Sequence, residues 1–180
     1  MNFGSIRVSR SAVFAKLATL VLATLVLAFG ANSMVQAQAP QISPDRFQVS
    51  ADGQEVIDQE KQLVWRRCLE GMRYEDGRCL GEPQQMAWAY GHEWAQRIAS
   101  AGSPWRMPSM IELSTMMDMS RHGSPLNATL FPDTPKAYVW SATVNERTPT
   151  HAWAMLYTNG YMMSSWQTVS YYLRLVREKI

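Results

Sequence analysis

Cys68 and Cys79 are the only thiols in the chain, and His92, His122 and His151 its only imidazoles. By type these are the residues fittest for nucleophilic, redox or metal chemistry. Their spacing argues against all three. The cysteines do not form a CxxC pair, and no histidine flanks either of them, so neither a dithiol redox motif nor a zinc ligand set is present. In an oxidising compartment an isolated even pair is most simply a disulfide. It would close a loop containing Glu70, Gly71, Arg73, Glu75, Asp76 and Gly77, too polar to hold itself by core packing, and would stabilise the fold by roughly 2–4 kcal/mol. The alternatives are a redox pair or two metal ligands. Asp118, Asn127 and Asp133 are the nearest oxygen ligands for calcium, which needs several such groups converging. No Glu-Pro-Asn or Gln-Pro-Asp sugar-binding motif accompanies them. There is no nucleophile elbow and no glycine-rich phosphate loop. The expectation is a protein with no metal, no cofactor, no catalytic residues and no enzymatic activity.

Binding is the remaining chemistry. Arg106 and Glu112 bracket a short turn and could hold a carboxylate or sulfate; the rival reading is a buried structural pair, since buried charges are normally matched. Trp105, Trp140, Trp153 and Trp166 could form a stacking platform for sugars, or simply fill the core. Arg174 and Arg177, read as sharing one face of the last strand, form an anion patch if Arg66 or Arg67 lies beside them.

The elements that must position these residues centre on Trp105-Arg106-Met107-Pro108-Ser109-Met110-Ile111-Glu112-Leu113. Ser109 followed by Glu112 is a capping box, each residue satisfying a backbone N–H of the other. Pro108 holds Met107 extended and turns the chain. The stretch therefore predicts a buried strand end, at Trp105, leading into a capped helix with Leu113, Met116 and Met117 inward, ending near His122-Gly123. Upstream, Glu55–Asp58 and Gln62–Trp65 predict a hairpin. Pro83 is placed at a first helical position. Ala87, Gly91, Trp94, Ala95, Ile98 and Ala101 recur at helical spacing, and Gly102 closes that helix. Downstream, 137–144, His151–Tyr157, Tyr161–Trp166 and Tyr171–Arg177 read as strands of an antiparallel meander. Asn159-Gly160 is the strongest short turn signal among them. A two-residue turn there places Trp153 opposite Trp166. It also puts Trp153, Met155, Tyr157, Met162 and Trp166 on one face. The order is that of an α+β domain with two helices, small antiparallel sheets and one disulfide.

Residues 1–37 read as a signal peptide. Arg7, Arg10 and Lys16 precede an apolar run, Leu17 to Phe29, and Val35-Gln36-Ala37 offers a cleavage site. An apolar core of about a dozen residues is short for a membrane span of roughly 20, so no span is expected after cleavage. The whole chain carries 17 basic and 15 acidic side chains; losing the three basic residues of the leader leaves 14 against 15, a net −1. The pI of 8.6 is thus no nucleic-acid signature. Residues 38–53 read as a linker, and 54–180 as one domain.

The domain resembles a known family. Val64-Trp65-x-Arg67-Cys68, Cys79-x-Gly81, the stretch from Trp105 to Leu113, Leu126-Asn127 with Phe131-Pro132, Val139-Trp140-Ser141, Ala152-Trp153 with its Asn159-Gly160 turn, and Leu173-Arg174-Leu175-Val176-Arg177 resemble, in that order, the C-terminal domain of the Legionella collagen-like protein. The resemblance implies a C-type-lectin-like fold. The related formylglycine-generating enzymes carry a similar Arg-x-Pro-Ser/Thr-x-x-Glu turn, and by that analogy Cys68 or Cys79 would be catalytic if either were a free thiol. The namesake is a surface adhesin associated with sulfated glycosaminoglycans; this sequence carries no Gly-X-Y tract. The expectation is an exported, non-enzymatic recognition module of the periplasm or cell surface, with a glycan or an envelope protein as partner. The alternative is a structural subunit of a surface assembly such as a pilus or secretion apparatus.

Overall fold

In the computed structural model, residues 45–99, 104–121 and 124–180 are described below. The leader at 1–37, residues 38–44 of the linker, Ala101, Gly102, His122 and Gly123 lie outside them. Among the described residues no helix is long and apolar enough to cross a membrane.

Among the described residues, eleven strands and two helices make an α+β fold. The first sheet runs in the order β1 (Phe47–Val49), β2 (Glu55–Asp58), β3 (Leu63–Arg66) and β11 (Val176–Glu178). The expected hairpin is β2–β3, with Val56 opposite Trp65. β1 is a correction: it lies in the stretch read as linker, yet Phe47 pairs with Asp58. Arg46, just before it, anchors the segment by a buried ion pair to Asp58, at 2.5 Å. β3 is buried on both sides, Val64 facing one apolar cluster and Trp65 the other, as alternation along a strand requires.

The loop between the cysteines is a second hairpin, β4 (Met72–Glu75) and β5 (Arg78–Gly81). A disulfide joins Cys68, before the hairpin, to Cys79 on β5, opposite Tyr74. Gly81 has φ +104°, and a Cβ there would sit 2.8 Å from the Gly71 carbonyl oxygen, so only glycine closes this hairpin.

The second sheet is β6 (Gln85–Ala87), β10 (Ser170–Tyr172), β7 (Tyr138–Val144), β8 (His151–Leu156) and β9 (Tyr161–Trp166), in that order. Pro83 does not start a helix. It precedes β6, because Met86 is drawn into the sheet opposite Tyr171 and is buried there. Helix α1 (Trp88–Ala99) follows, its first N–H donating to the Gln167 carbonyl. Helix α2 (Met110–Thr115) is shorter than its sequence pattern; the chain leaves it at Met116, and Met117 pairs instead with Leu126. Leu113, Met116 and Met117 are buried as expected.

The terminal stretch is not one strand. Its first part, β10, joins the second sheet, antiparallel to β6 and parallel to β7, while β11 closes the first sheet against β3. Leu173, Arg174 and Leu175, fully buried, make the crossing. One apolar cluster gathers Trp65, Leu113, Phe131, Met155, Tyr157 and Val176; the other gathers Trp105, Met107, Trp140, Ala154, Leu173 and Leu175.

Candidate functional site

The capping box forms. The Ser109 hydroxyl accepts from the Glu112 N–H at 3.1 Å, and the Glu112 carboxylate accepts from the Ser109 N–H at 2.7 Å. The turn is held from outside by an irregularity in β7. Between Trp140 and Val144 the ladder to β8 is interrupted; this frees the Ala142 N–H to donate to Pro108 and lets Thr143 accept from the Met110 N–H. Such a bulge re-aims a strand toward a neighbouring element. Trp105 is buried, with the Arg66 and Arg177 guanidinium groups 4.6 and 5.1 Å from its ring centre.

Arg106 is already engaged. It donates to both Glu112 oxygens, at 2.9 and 2.7 Å, and to Glu178 at 2.5 Å. These hydrogen bonds, Glu112's first, raise its pKa further. Burial opposes ionisation of Glu112, but the Arg106 and Ser109 donors outweigh it and hold the carboxyl below its usual value. This is the structural pair, not an open anion site.

Arg174 is also internal. Extended residues three apart point to opposite sides, so Arg174 and Arg177 do not share a face and form no patch. Arg174 is wholly buried and donates to the Arg66 and Arg67 carbonyls and to the Thr134 hydroxyl. Its guanidinium lies 4.8 Å from the Phe131 ring centre and 5.6 Å from that of Tyr157. No carboxylate forms an ion pair with it among the described residues. Burial pushes its pKa down, against the pull of Tyr157 and Glu70. Arg177 turns instead to Glu55, at 2.7 Å, and Arg67 to the Thr129 and Leu130 carbonyls.

The calcium candidates are separated in local roles. Asp118 accepts from Ser120, Asn127 from Thr129, and Asp133 from Arg78 and the Cys79 N–H. His92 stacks edge-on against Trp88, and burial lowers its pKa.

The four tryptophans divide. Trp105 and Trp140 are core, and Trp140 donates its indole N–H to Met86. Trp153 and Trp166 lie on the late hairpin, in a register that differs from the two-residue turn. Leu156 opposes Tyr161, Trp153 opposes Ser164, and Trp166 opposes His151. The loop is the four residues from Tyr157 to Gly160, with Gly160 at φ +72° and the Asn159 side chain accepting from the Tyr161 N–H. Four-residue hairpin loops are a standard alternative. Because the shift is two residues, no side chain changes face.

His151, Trp153, Ser164 and Trp166 therefore form a square on one face of the β8–β9 pair. Diagonal neighbours in such a ladder lie roughly 7–8 Å apart. Burial grades along this face, from Met155 (0% exposed), through half-buried Trp153, to Trp166 (58% exposed). The His151 ring lies 4.2 Å from Trp166. Hydrogen-bonding groups ring the square: Asn145 donates to Ser164, and Gln167 to Pro149. No Asp, Glu, Lys or Arg belongs to the square. Sequence reasoning picked out Trp153 and Trp166 but treated His151 as an isolated histidine; the register alone brings it in.

Among curated proteins none matches the chain. The profile of the Lcl C-terminal domain matches residues 54–177, which take in both sheets apart from β1 and the last residue of β11, with the disulfide, the capping box and the aromatic square. The chain belongs to the Lcl C-terminal domain family.

Proposed function

We propose that this protein is an exported, non-enzymatic recognition module, working in the periplasm or at the cell surface, whose ligand is a glycan bound on the square of His151, Trp153, Ser164 and Trp166. The observation that carries the reading is the exposure of Trp166 on a regular strand, beside a half-buried Trp153. A large indole left in water offers an apolar plate to the C–H face of a pyranose, while Asn145, Ser164 and Gln167 supply edge hydrogen bonds. The square holds no Asp, Glu, Lys or Arg, which favours a neutral sugar.

The non-enzymatic reading is supported by the union of both cysteines in one disulfide, leaving no free thiol. Two helices on small antiparallel sheets, with the terminal strand closing the first sheet, fit the C-type-lectin-like fold that the sequence resemblance implies. An export signal at 1–37 suits a disulfide-bonded domain. The second reading, a subunit of a surface assembly, is favoured by β9, an edge strand of the five-stranded sheet with Tyr161 and Trp166 exposed, the kind of edge that can add a partner strand.

A glycan array followed by titration of the best hits tests the reading. The expected result is saturable binding with quenching of Trp fluorescence, lost in Trp166→Ala. Binding that survives Trp166→Ala unchanged, or an array with no hits, removes the square from consideration.

A further inference from the structure

Lys136 stands at the apex of a three-residue turn: the Ala137 N–H donates to the Pro135 carbonyl at 2.9 Å, the pattern of a γ-turn. A cavity opens on each side of it. One, of about 480 Å³, is lined by Leu126, Thr134, Pro135, Tyr157 and Lys136. The other, of about 320 Å³, is lined by Leu156, Tyr138, Tyr171, Tyr172 and Lys136 again. Both volumes are in the range of small-molecule sites, which are mainly apolar with a few placed polar groups. The turn between them is held in place. The Thr134 hydroxyl donates to Phe131 and accepts from Arg174, at 3.0 and 2.9 Å. In the second cavity the Tyr138 and Tyr171 rings lie 5.4 Å apart, and the Tyr171 hydroxyl is bonded to Ser165.

Lys136 is exposed. Among the described residues no carboxylate lies within ion-pair distance of Lys136. Behind the Thr134 floor sits the buried Arg174 guanidinium, likewise without an ion pair. The exposed Lys136 at the rim of both cavities, without a carboxylate partner, favours an anionic group in the groove. Apolar and aromatic walls on both sides favour a ligand body of the same kind.

We propose that the groove divided by Lys136 binds a ligand in which a single carboxylate is joined to an apolar or aromatic body, the carboxylate pairing with Lys136 and the body seated among Tyr138, Tyr171 and Tyr172. This does not rest on the glycan reading, since none of these residues belongs to the square on the late hairpin.

The probe is N-acetyl-L-phenylalanine, with its uncharged amide as control, titrated into the purified protein and followed by amide-proton NMR. So small a probe binds with Kd on the order of millimolar. The expected result is saturable shifts at Lys136, Ala137 and Tyr171. Binding should be about tenfold weaker for the amide and for Lys136→Met, since a charge-assisted contact is lost. Met keeps the apolar stem, and the spectrum itself shows whether the variant is folded. Lys136→Arg should retain binding, and Lys61→Met, which removes a lysine elsewhere, should bind as the parent does. No saturable shift up to roughly 10 mM probe, equal affinity for acid and amide, or undiminished binding by Lys136→Met overturns the proposal.

Discussion

His151 and Trp166 stand opposite each other across the β8–β9 ladder, their ring centres 4.2 Å apart and their planes tilted by 40°. The pair lies at the exposed end of a face whose other end is core, so the energetic weight of a tryptophan in this protein depends on its position. Trp166→Ala is expected to lower stability by less than about 1 kcal/mol, a cross-strand contact alone. Trp140→Ala, which empties a fully buried site and leaves the Met86 carbonyl unpaired, should cost roughly 3–5 kcal/mol. Urea unfolding of the two variants checks the contrast; equal losses would mean that Trp166 is structural.

Removing the Ser109 hydroxyl breaks half of the capping box. Ser109→Ala should lower stability by about 1 kcal/mol, seen as a lower midpoint at unchanged denaturant slope. Ligand binding at either proposed site should be untouched, because neither includes this turn.

Arg174→Met should be far more damaging than its conservative volume suggests. Three acceptors, the Arg66 and Arg67 carbonyls and the Thr134 hydroxyl, lose their donor in the interior. At roughly 1–3 kcal/mol for each buried group left unsatisfied, the loss should be about 3 kcal/mol or more. A midpoint within error of the parent would show that water replaces the guanidinium without cost.

Glu70 is buried and accepts from the Trp94 indole N–H at 2.8 Å. Burial raises its pKa above the ordinary 4.5, despite Trp94, Arg66 and Arg174. A carboxyl with a raised folded pKa favours the folded state below its unfolded pKa and loses that contribution as pH rises through the folded value. Glu70→Gln keeps the acceptor oxygen but cannot ionise. The variant should therefore be more stable than the parent at pH 7, with the advantage shrinking to nothing as pH falls below about 4.5. Chemical denaturation at both pH values measures this; an advantage that grows toward acid would reverse the sign.

The capping box was legible because it is local: the hydroxyl, the carboxylate and the N–H groups they satisfy lie within four consecutive residues. β2–β3 and the disulfide pair were legible too, their partners lying no more than 11 residues apart. The late hairpin shows where local signals stop. Asn159-Gly160 does supply the positive-φ residue, but Tyr157 is pulled beneath the loop into the cluster beside Arg174, and that burial sets the register. No short-range pattern encodes it. The start of α1 was missed for a related reason, since Met86 is claimed by Tyr171, a partner far along the chain. Arg174 looked like a strand-surface charge because two of its three acceptors are backbone carbonyls, which leave no trace in side-chain identity. Lys136 carried no motif; only the cavities on either side distinguish it from other exposed lysines.

The split of the terminal stretch between the two sheets also bears on how the chain acquires its structure. Residues 170–178 are the partner of β6 and β7 in one sheet and of β3 in the other, so each sheet lacks a strand until they arrive. Contacts between Val176 and Trp65 span more than half the sequence, and such long closures make folding slow. A chain in which residues 170–178 have not yet paired would leave both apolar clusters open. Under the export proposed above that delay would be useful, since it lengthens the period in which the polypeptide can be threaded unfolded across a membrane before residues 170–178 close both sheets.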